Sequence, residues 1–492
     1  MREALSKTSA GSPTSPASAA PAHLFALLYA VAVLLHIAWL PVLLRPTFDA
    51  PPFWLLSSLV LAAVAVIHRP ASVSRLLGLA IVQLLDVAYF LPVVPNHWLL
   101  TGIVSLAILG AATAGALRGG RAGLQLGALY QTLTPPVRFS AVIFYFFTFF
   151  HKLNADFLNP DVSCAVRFFE QAVSPFPALA ALPGVETVVI WATLTAELFV
   201  AVGLAVPRWR AAACLLGAGF HLLLAPDAAH VFYNFSAVMF AVLWVCLPAA
   251  RATRLVRQPG TRRFGRWHFL GGYALIVGLA WWFPAEAWRV TAFGFSGLWL
   301  AFALTLLSRG GLLGRCNVLH FARNARRLSA RPTPRAPIEA HPARRRAGVL
   351  LLVPALVLLN GLSPYLGLKT RTAWQMYSNL NLDAATSNHF IIPYSLDIGG
   401  FLADSVRILA TSDPALNAGY VQTGRRITWF ELRRYVAQHP VKELTYVRPA
   451  HPAGQFGAAE EDAPRKTLGR AGLEKLLIFR PVGPASAGVC DW

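Results

Sequence analysis

Apolar residues fall along this chain in long blocks separated by short polar connections. Eleven blocks have helical length: residues 24–44, 53–67, 76–94, 98–117, 124–150, 185–206, 211–225, 231–248, 267–283, 290–307 and 347–363. Several, such as 24–44, 53–67, 98–117 and 185–206, carry almost no charge. Most match a hydrocarbon core of roughly 30 Å crossed at about 1.5 Å per residue. The pattern predicts an all-α polytopic membrane bundle of about nine to eleven transmembrane helices. The fifth block is long and is interrupted by Pro135, Pro136 and Arg138, and the seventh is short. Residues 1–22, rich in Ala, Ser and Pro, are expected to be disordered. The first block is too long for a signal-peptide core and reads as a retained helix.

Beyond residue 363 the pattern changes. Residues 364–492 have ordinary polarity and short alternating segments at 405–411, 442–447 and 476–479 that predict strands. Thr428-Trp429-Phe430-Glu431 has the form of a capping box, opening a helix that runs to about His439 and stops at Pro440. Residues 449–465 read as a loop. The expected organisation is a disordered segment (1–22), a transmembrane domain (23–310), a basic loop (311–346), a last transmembrane helix (347–363) and a small C-terminal α+β extramembrane domain (364–492).

Composition supports the membrane reading, with 56% hydrophobic and 13% charged residues. The formal charge of +21 would suit a nucleic-acid binder, but its distribution argues against one. Arg69 and Arg75, Arg118 and Arg121, and Arg208 and Arg210 sit in alternate connections. Two arginine clusters follow, at 251–266 and 309–346, whereas 95–97 and 225–229 hold no lysine or arginine. This alternation is the signature of cytoplasmic loops, with anionic-lipid contact as a secondary role. It predicts a multi-pass protein of the cell membrane with a cytoplasmic N-terminus. The connection after residue 150 and the C-terminal domain then lie on the outer face.

The residues of greatest chemical interest lie at the end of the fifth block. A run of aromatics (Phe144, Tyr145, Phe146, Phe147, Phe149, Phe150) leads into His151-Lys152-Leu153-Asn154-Ala155-Asp156-Phe157. An ammonium group at that depth is costly unless paired, close to water or neutralised. One reading of Lys152 is an anchor snorkelling to the interface. The other is a base of lowered pKa, with His151, Asn154 and Asp156 orienting the amine and relaying protons. Glu197 sits mid-block, where a carboxylate must be protonated or paired, and reads equally as a packing contact or a site residue. His221 reads as a core histidine or as a second polar group beside Lys152, and Asp86 and His36 as weaker examples of the same kind. Cys164 and Cys490, both predicted outside, read as a disulfide in an oxidising compartment or as two unrelated thiols. The spacing of Cys and His offers no metal motif, and no glycine-rich phosphate loop is present.

The string Phe150-His151-Lys152-Leu153-Asn154-Ala155-Asp156-Phe157 resembles the Lys-Leu-Asp-Ala-Asp-Trp segment of vitamin K-dependent gamma-carboxylase. It is closer still to bacterial members of the horizontally transferred transmembrane domain family, whose core that enzyme shares. Phe220-His221 leading into Tyr233-Asn234-Phe235-Ser236 is a second point of likeness, and together they cover roughly residues 20–310. The string from Asn360 to Thr370, with Met376-Tyr377-Ser378-Asn379-Leu380, is similar to a bacterial subgroup carrying this domain. The resemblance implies that Lys152 is the base that deprotonates a reduced naphthoquinone of the vitamin K type in an outward-facing cavity. Asn154 stands where the enzyme has aspartate, and the C-terminal domain does not resemble the enzyme's large lumenal domain. The expectation therefore rests on quinol chemistry more than on carboxylation of protein glutamate. Membrane lipids and a lipid quinol are the expected partners. The alternative is a non-enzymatic membrane protein, either a transporter or a scaffold presenting the C-terminal domain, although no inverted repeat supports transport.

Overall fold

The computed structural model describes residues 16–37, 51–227, 230–249, 251–253, 265–309, 348–383, 386–439, 441–448, 473–483 and 490. The expected basic loop, most of both arginine clusters, residues 1–15 and the 449–465 loop lie outside the described residues. All eleven apolar blocks contain a helix. In chain order these are α1 (Pro16–Ile37), α2 (Pro51–His68), α3 (Val73–Phe90), α4 (Asn96–Gly123) and α5 (Leu126–Phe150). After two short helices, α6 (Ala155–Leu158) and α7 (Cys164–Ala172), come α8 (Val185–Ala205), α9 (Arg210–Leu224) and α10 (Phe232–Cys246). The last are α11 (Arg266–Trp282), α12 (Ala287–Arg309) and α13 (Gly348–Leu362). Among the described residues six helices are long and apolar enough to cross a membrane: α1, α3, α4, α5, α8 and α12.

Two helices depart from expectation. α1 starts at Pro16, inside the segment expected to be disordered. Alanine is the best helix former and proline suits the first turn, so Pro16-Ala17-Ser18-Ala19-Ala20 extends the helix towards the N-terminus. α5 runs unbroken through Pro135 and Pro136. In the same stretch the Thr132 hydroxyl donates to the Ala128 carbonyl (2.9 Å) and the Thr134 hydroxyl to the Tyr130 carbonyl (2.7 Å). These carbonyls are not the ones the prolines deprive of a donor, which are those of Gln131 and Thr132.

The chain divides into two compact units. The first comprises residues 1–83, 104–138 and 221–351. There α1 packs on α2 and α10, and α12 packs on α10 and α11. Two buried polar pairs lie inside it: the Tyr29 hydroxyl is 2.5 Å from the Ser105 hydroxyl, and Trp299 Nε1 donates to Ser236 Oγ at 2.9 Å.

The second unit comprises residues 84–103, 139–220 and 352–492. Its C-terminal part holds a three-stranded antiparallel sheet of order β2-β1-β3, with β1 at Ser405–Thr411, β2 at Arg426–Thr428 and β3 at Leu444–Val447. The helix α14 (Trp429–Gln438) follows β2 directly. Val406, Ile408, Leu416, Ile427, Leu432 and Val441 form its core. Thr428 Oγ1 caps α14 by accepting from the Glu431 amide, but only half of the expected capping box forms. The Glu431 carboxylate instead pairs with Arg434 and accepts from the Phe479 amide at 2.7 Å. That bond helps explain why the strand expected at 476–479 is missing. Leu473–Leu476 is a 3-10 turn, and the Ile478 carbonyl accepts from Thr370 and Arg371 rather than from a neighbouring strand.

Lys369, seven residues beyond α13, is buried, and burial lowers its pKa to about 8. The folded pKa lies below the unfolded value, so the native state binds fewer protons and stability must rise with pH between about 8 and 10.5. Thermal melts of detergent-solubilised protein should show this rise, worth on the order of a few kcal/mol. A Lys369→Met variant should lose that component.

Candidate functional site

The end of α5 is where the charges meet. Lys152 lies just past the last turn of the helix and is 5% exposed. Its Nζ donates to the Thr148 carbonyl at 3.0 Å and to Glu197 Oε1 at 2.9 Å. The same ammonium sits 5.8 Å from the centre of the Phe157 ring. Glu197, on α8, is 7% exposed, and its second oxygen, Oε2, is buried with no hydrogen-bond partner among the described residues. The two residues that the sequence left as separate questions thus form one buried ion pair. A single carboxylate oxygen of that pair has its bonding capacity unused.

The neighbours expected to orient the amine do other work. His151 Nε2–H donates to the Gly361 carbonyl on α13 at 3.1 Å, which ties the end of α5 to that helix. Asn154 is fully buried and uses both ends of its amide. Nδ2 donates to the carbonyls of His151 (2.8 Å) and Ser378 (2.7 Å), while Oδ1 accepts from the Phe157 amide (2.8 Å), capping α6. Asp156 accepts from Asn388 Nδ2 at 2.9 Å and makes no bond to the amine. His221 belongs to the other unit, where its ring packs edge-on against Phe235 with centroids 4.7 Å apart. Asp86 accepts from Trp98 Nε1 at 2.5 Å, and His36 is buried in the last turn of α1.

An asparagine ladder, not anticipated from the sequence, holds the C-terminal segment against this helix end. Asn388 Nδ2 also reaches Asn154 Oδ1 (3.3 Å) and the Asn379 carbonyl (2.8 Å). Asn379 Oδ1 accepts from the Cys164 amide (2.9 Å), and its Nδ2 donates to the Val162 carbonyl (2.9 Å). The Ala155 amide donates to the Asn388 carbonyl and the Phe390 amide to the Leu153 carbonyl, each at 3.0 Å. Thr372, Trp374, Tyr377 and Asn379 all have positive φ, a conformation that bulky residues rarely adopt. Such strain persists where the surroundings over-determine the backbone, as at binding sites. The Asn-rich composition of 379–388 was the one available signal.

Cys164 and Cys490 form a disulfide across 326 residues of sequence. Cys164 belongs to an apolar cluster with Phe157, Ile190 and Leu194, against which Cys490 and Tyr377 pack. The C-terminal segment, the connection after α5 and α8 therefore share one covalently closed neighbourhood. Among the described residues no group of three or more His, Cys, Asp or Glu side chains could hold a metal ion.

No family model, curated protein or solved structure matches the chain.

Two outcomes test this geometry. A sample nicked by protease between the two cysteines should run as one band on a non-reducing gel and separate only after reduction. An Asn154→Asp variant keeps the acceptor for the Phe157 amide but, when ionised, faces two carbonyls with no donor. Its carboxyl should hold its proton above the usual range. With the folded pKa raised, stability is present at low pH and lost as pH climbs. The melting temperature of Asn154→Asp should fall from pH 5 to pH 8 more steeply than that of the parent.

Proposed function

We propose that this is a multi-pass membrane enzyme in which the Lys152–Glu197 pair removes a proton from a lipid-soluble acid. The acid would be a reduced naphthoquinone of the vitamin K type, met on the outer face of the cell membrane. The observation that carries the proposal is the buried ion pair with one uncommitted carboxylate oxygen. The resemblance around Lys152 to the carboxylase core, and the alternation of arginines along the loops, support the substrate class and the orientation.

The chemistry follows from charge. The pair exists either as ammonium with carboxylate or as amine with carboxylic acid, and both forms are neutral in sum. If the first form meets the substrate hydroxyl, Glu197 Oε2 takes the proton. If the second does, the Lys152 amine takes it. Both routes end with an ammonium, a carboxylic acid and the substrate anion, and the net charge stays at zero throughout. A low-dielectric site tolerates such a step because no unpaired charge is created. The ammonium then stands beside the new anion and stabilises it. Passing two electrons and two protons on to dioxygen would yield quinone and hydrogen peroxide and restore the pair.

A non-enzymatic reading draws on one observation: Lys152, Thr148, Glu197 and Phe157 form a clasp between α5 and α8 that needs no ligand. Oxygen uptake by the protein in nanodiscs with added naphthoquinol separates the two readings. Removing one partner of a buried pair costs about 3–5 kcal/mol, while replacing both by apolar groups is often neutral. The informative variant is therefore the double substitution Lys152→Met with Glu197→Leu, its folding checked by gel filtration. Quinol-dependent uptake in the parent, and its loss in the folded double variant, supports the enzyme. Absence of turnover in both supports the scaffold.

A further inference from the structure

After the asparagine ladder the chain runs Phe390-Ile391-Ile392-Pro393-Tyr394-Ser395-Leu396-Asp397-Ile398 without helix or strand. Five of these side chains, those of Phe390, Ile391, Tyr394, Leu396 and Ile398, are each 54–64% exposed. A run of large apolar residues facing outward from an irregular segment marks an interaction surface.

The segment is pinned at both ends to helix termini. At its start His389 Nε2–H donates to the Phe150 carbonyl at the end of α5 (2.9 Å). Its Nδ1 accepts from the Ile391 and Ile392 amides (both 3.1 Å), so one imidazole sets both position and direction. Farther along, the Leu396 amide donates to the Tyr365 carbonyl (2.8 Å) and the Ile398 amide to the Leu366 carbonyl (3.1 Å), just beyond α13. Ser395 is buried between them, with its hydroxyl reaching the Pro364 and Tyr365 carbonyls. The only charged residue of the segment, Asp397, is half-buried and accepts from the Leu402 and Ala403 amides at 3.1 and 2.8 Å. What remains outside is apolar and aromatic.

Both anchoring helices carry the same kind of surface. On α5 Phe139 and Phe146 are exposed, and on α13 Leu351, Leu352, Leu356, Leu358 and Leu359 are exposed, as suits helices facing acyl chains. The loop is anchored at the ends of these two helices and exposes side chains of the same kind.

We propose that residues 390–398 form a membrane-embedded strap, with Phe390, Ile391, Tyr394, Leu396 and Ile398 immersed in the interfacial layer of the bilayer. The occupant of this surface is lipid. The anchors set the depth of the strap at the boundary between headgroups and acyl chains, where aromatic residues are favoured. Backbone polar groups survive there because helix ends, the imidazole and Ser395 satisfy many of them. The strap pairs with the connection that carries Lys152, since Asn154 and His389 form an antiparallel bridge. The start of the strap therefore lies beside the connection that carries the buried pair.

The test uses full-length protein reconstituted at one copy per nanodisc, which removes a second copy as occupant. A spin label on a ketone-bearing unnatural residue at Ile391, and separately at Ile398, avoids the native cysteines. Ala418, an exposed position near the sheet, serves as the aqueous reference. The proposal expects the ratio of oxygen to nickel-chelate accessibility at 391 and 398 to exceed that at 418 several-fold. Equal ratios would overturn it and leave an aqueous face suited to a protein partner. Low accessibility to both reagents would overturn it as well, since the side chains would then be packed in protein. A measurement on the parent guards against local damage by the labels. Phosphatidylcholine with an acyl-chain diazirine should cross-link to the peptide holding 390–398. Labelling of α5 and α13 peptides without that peptide would refute the strap.

Discussion

An ammonium and a carboxylate, both less than a tenth exposed, can be kept in a protein interior only while they remain within bonding distance. Each ion loses several kcal/mol of hydration, and the attraction between them compensates only if geometry is maintained. Much of the second unit serves that requirement. The last turn of α5 supplies the Thr148 carbonyl, α8 supplies Glu197, and α6 brings up the Phe157 ring. Asn154 fixes α6 by capping it and by bonding the backbone on both sides of itself. The disulfide then closes the far side of the cluster formed by Phe157, Ile190 and Leu194.

The contrast between what the sequence discloses and what it conceals follows from the length scale of each signal. Helix limits at 185–205, 210–224 and 232–246 differ by two residues at most from those read off the apolar blocks, because apolar character extends along the whole length of such a helix. The cap at Thr428 and the strand at 405–411 are equally local. The partner of Lys152 lies 45 residues away, in a helix whose composition says only that its carboxylate needs some partner. No periodicity records which of several polar groups will meet. The asparagine ladder and the positive-φ residues of 372–379 lie in irregular backbone, where neither the helical nor the strand period applies. β2, three residues long, is too short for a pattern to register.

Asparagine at position 154 has a physical meaning in this setting. Two carbonyls, those of His151 and Ser378, converge on position 154 and demand a donor. An amide meets that demand at any pH, whereas a carboxyl would meet it only when protonated. The choice of side chain at 154 is therefore linked to the strained segment that supplies Ser378, and the two should be considered as one arrangement.

The disulfide carries a consequence for the order of assembly. Its two cysteines are separated by six helices of the apolar series, α8 to α13, with the sheet beyond them. The bond cannot close until all of that chain has been synthesised and Cys490 has been brought to Cys164. A chain whose C-terminal segment fails to reach α7 would leave both thiols reduced. The cross-link thus records in a single chemical event that the two distant segments have met, and its presence certifies that pairing.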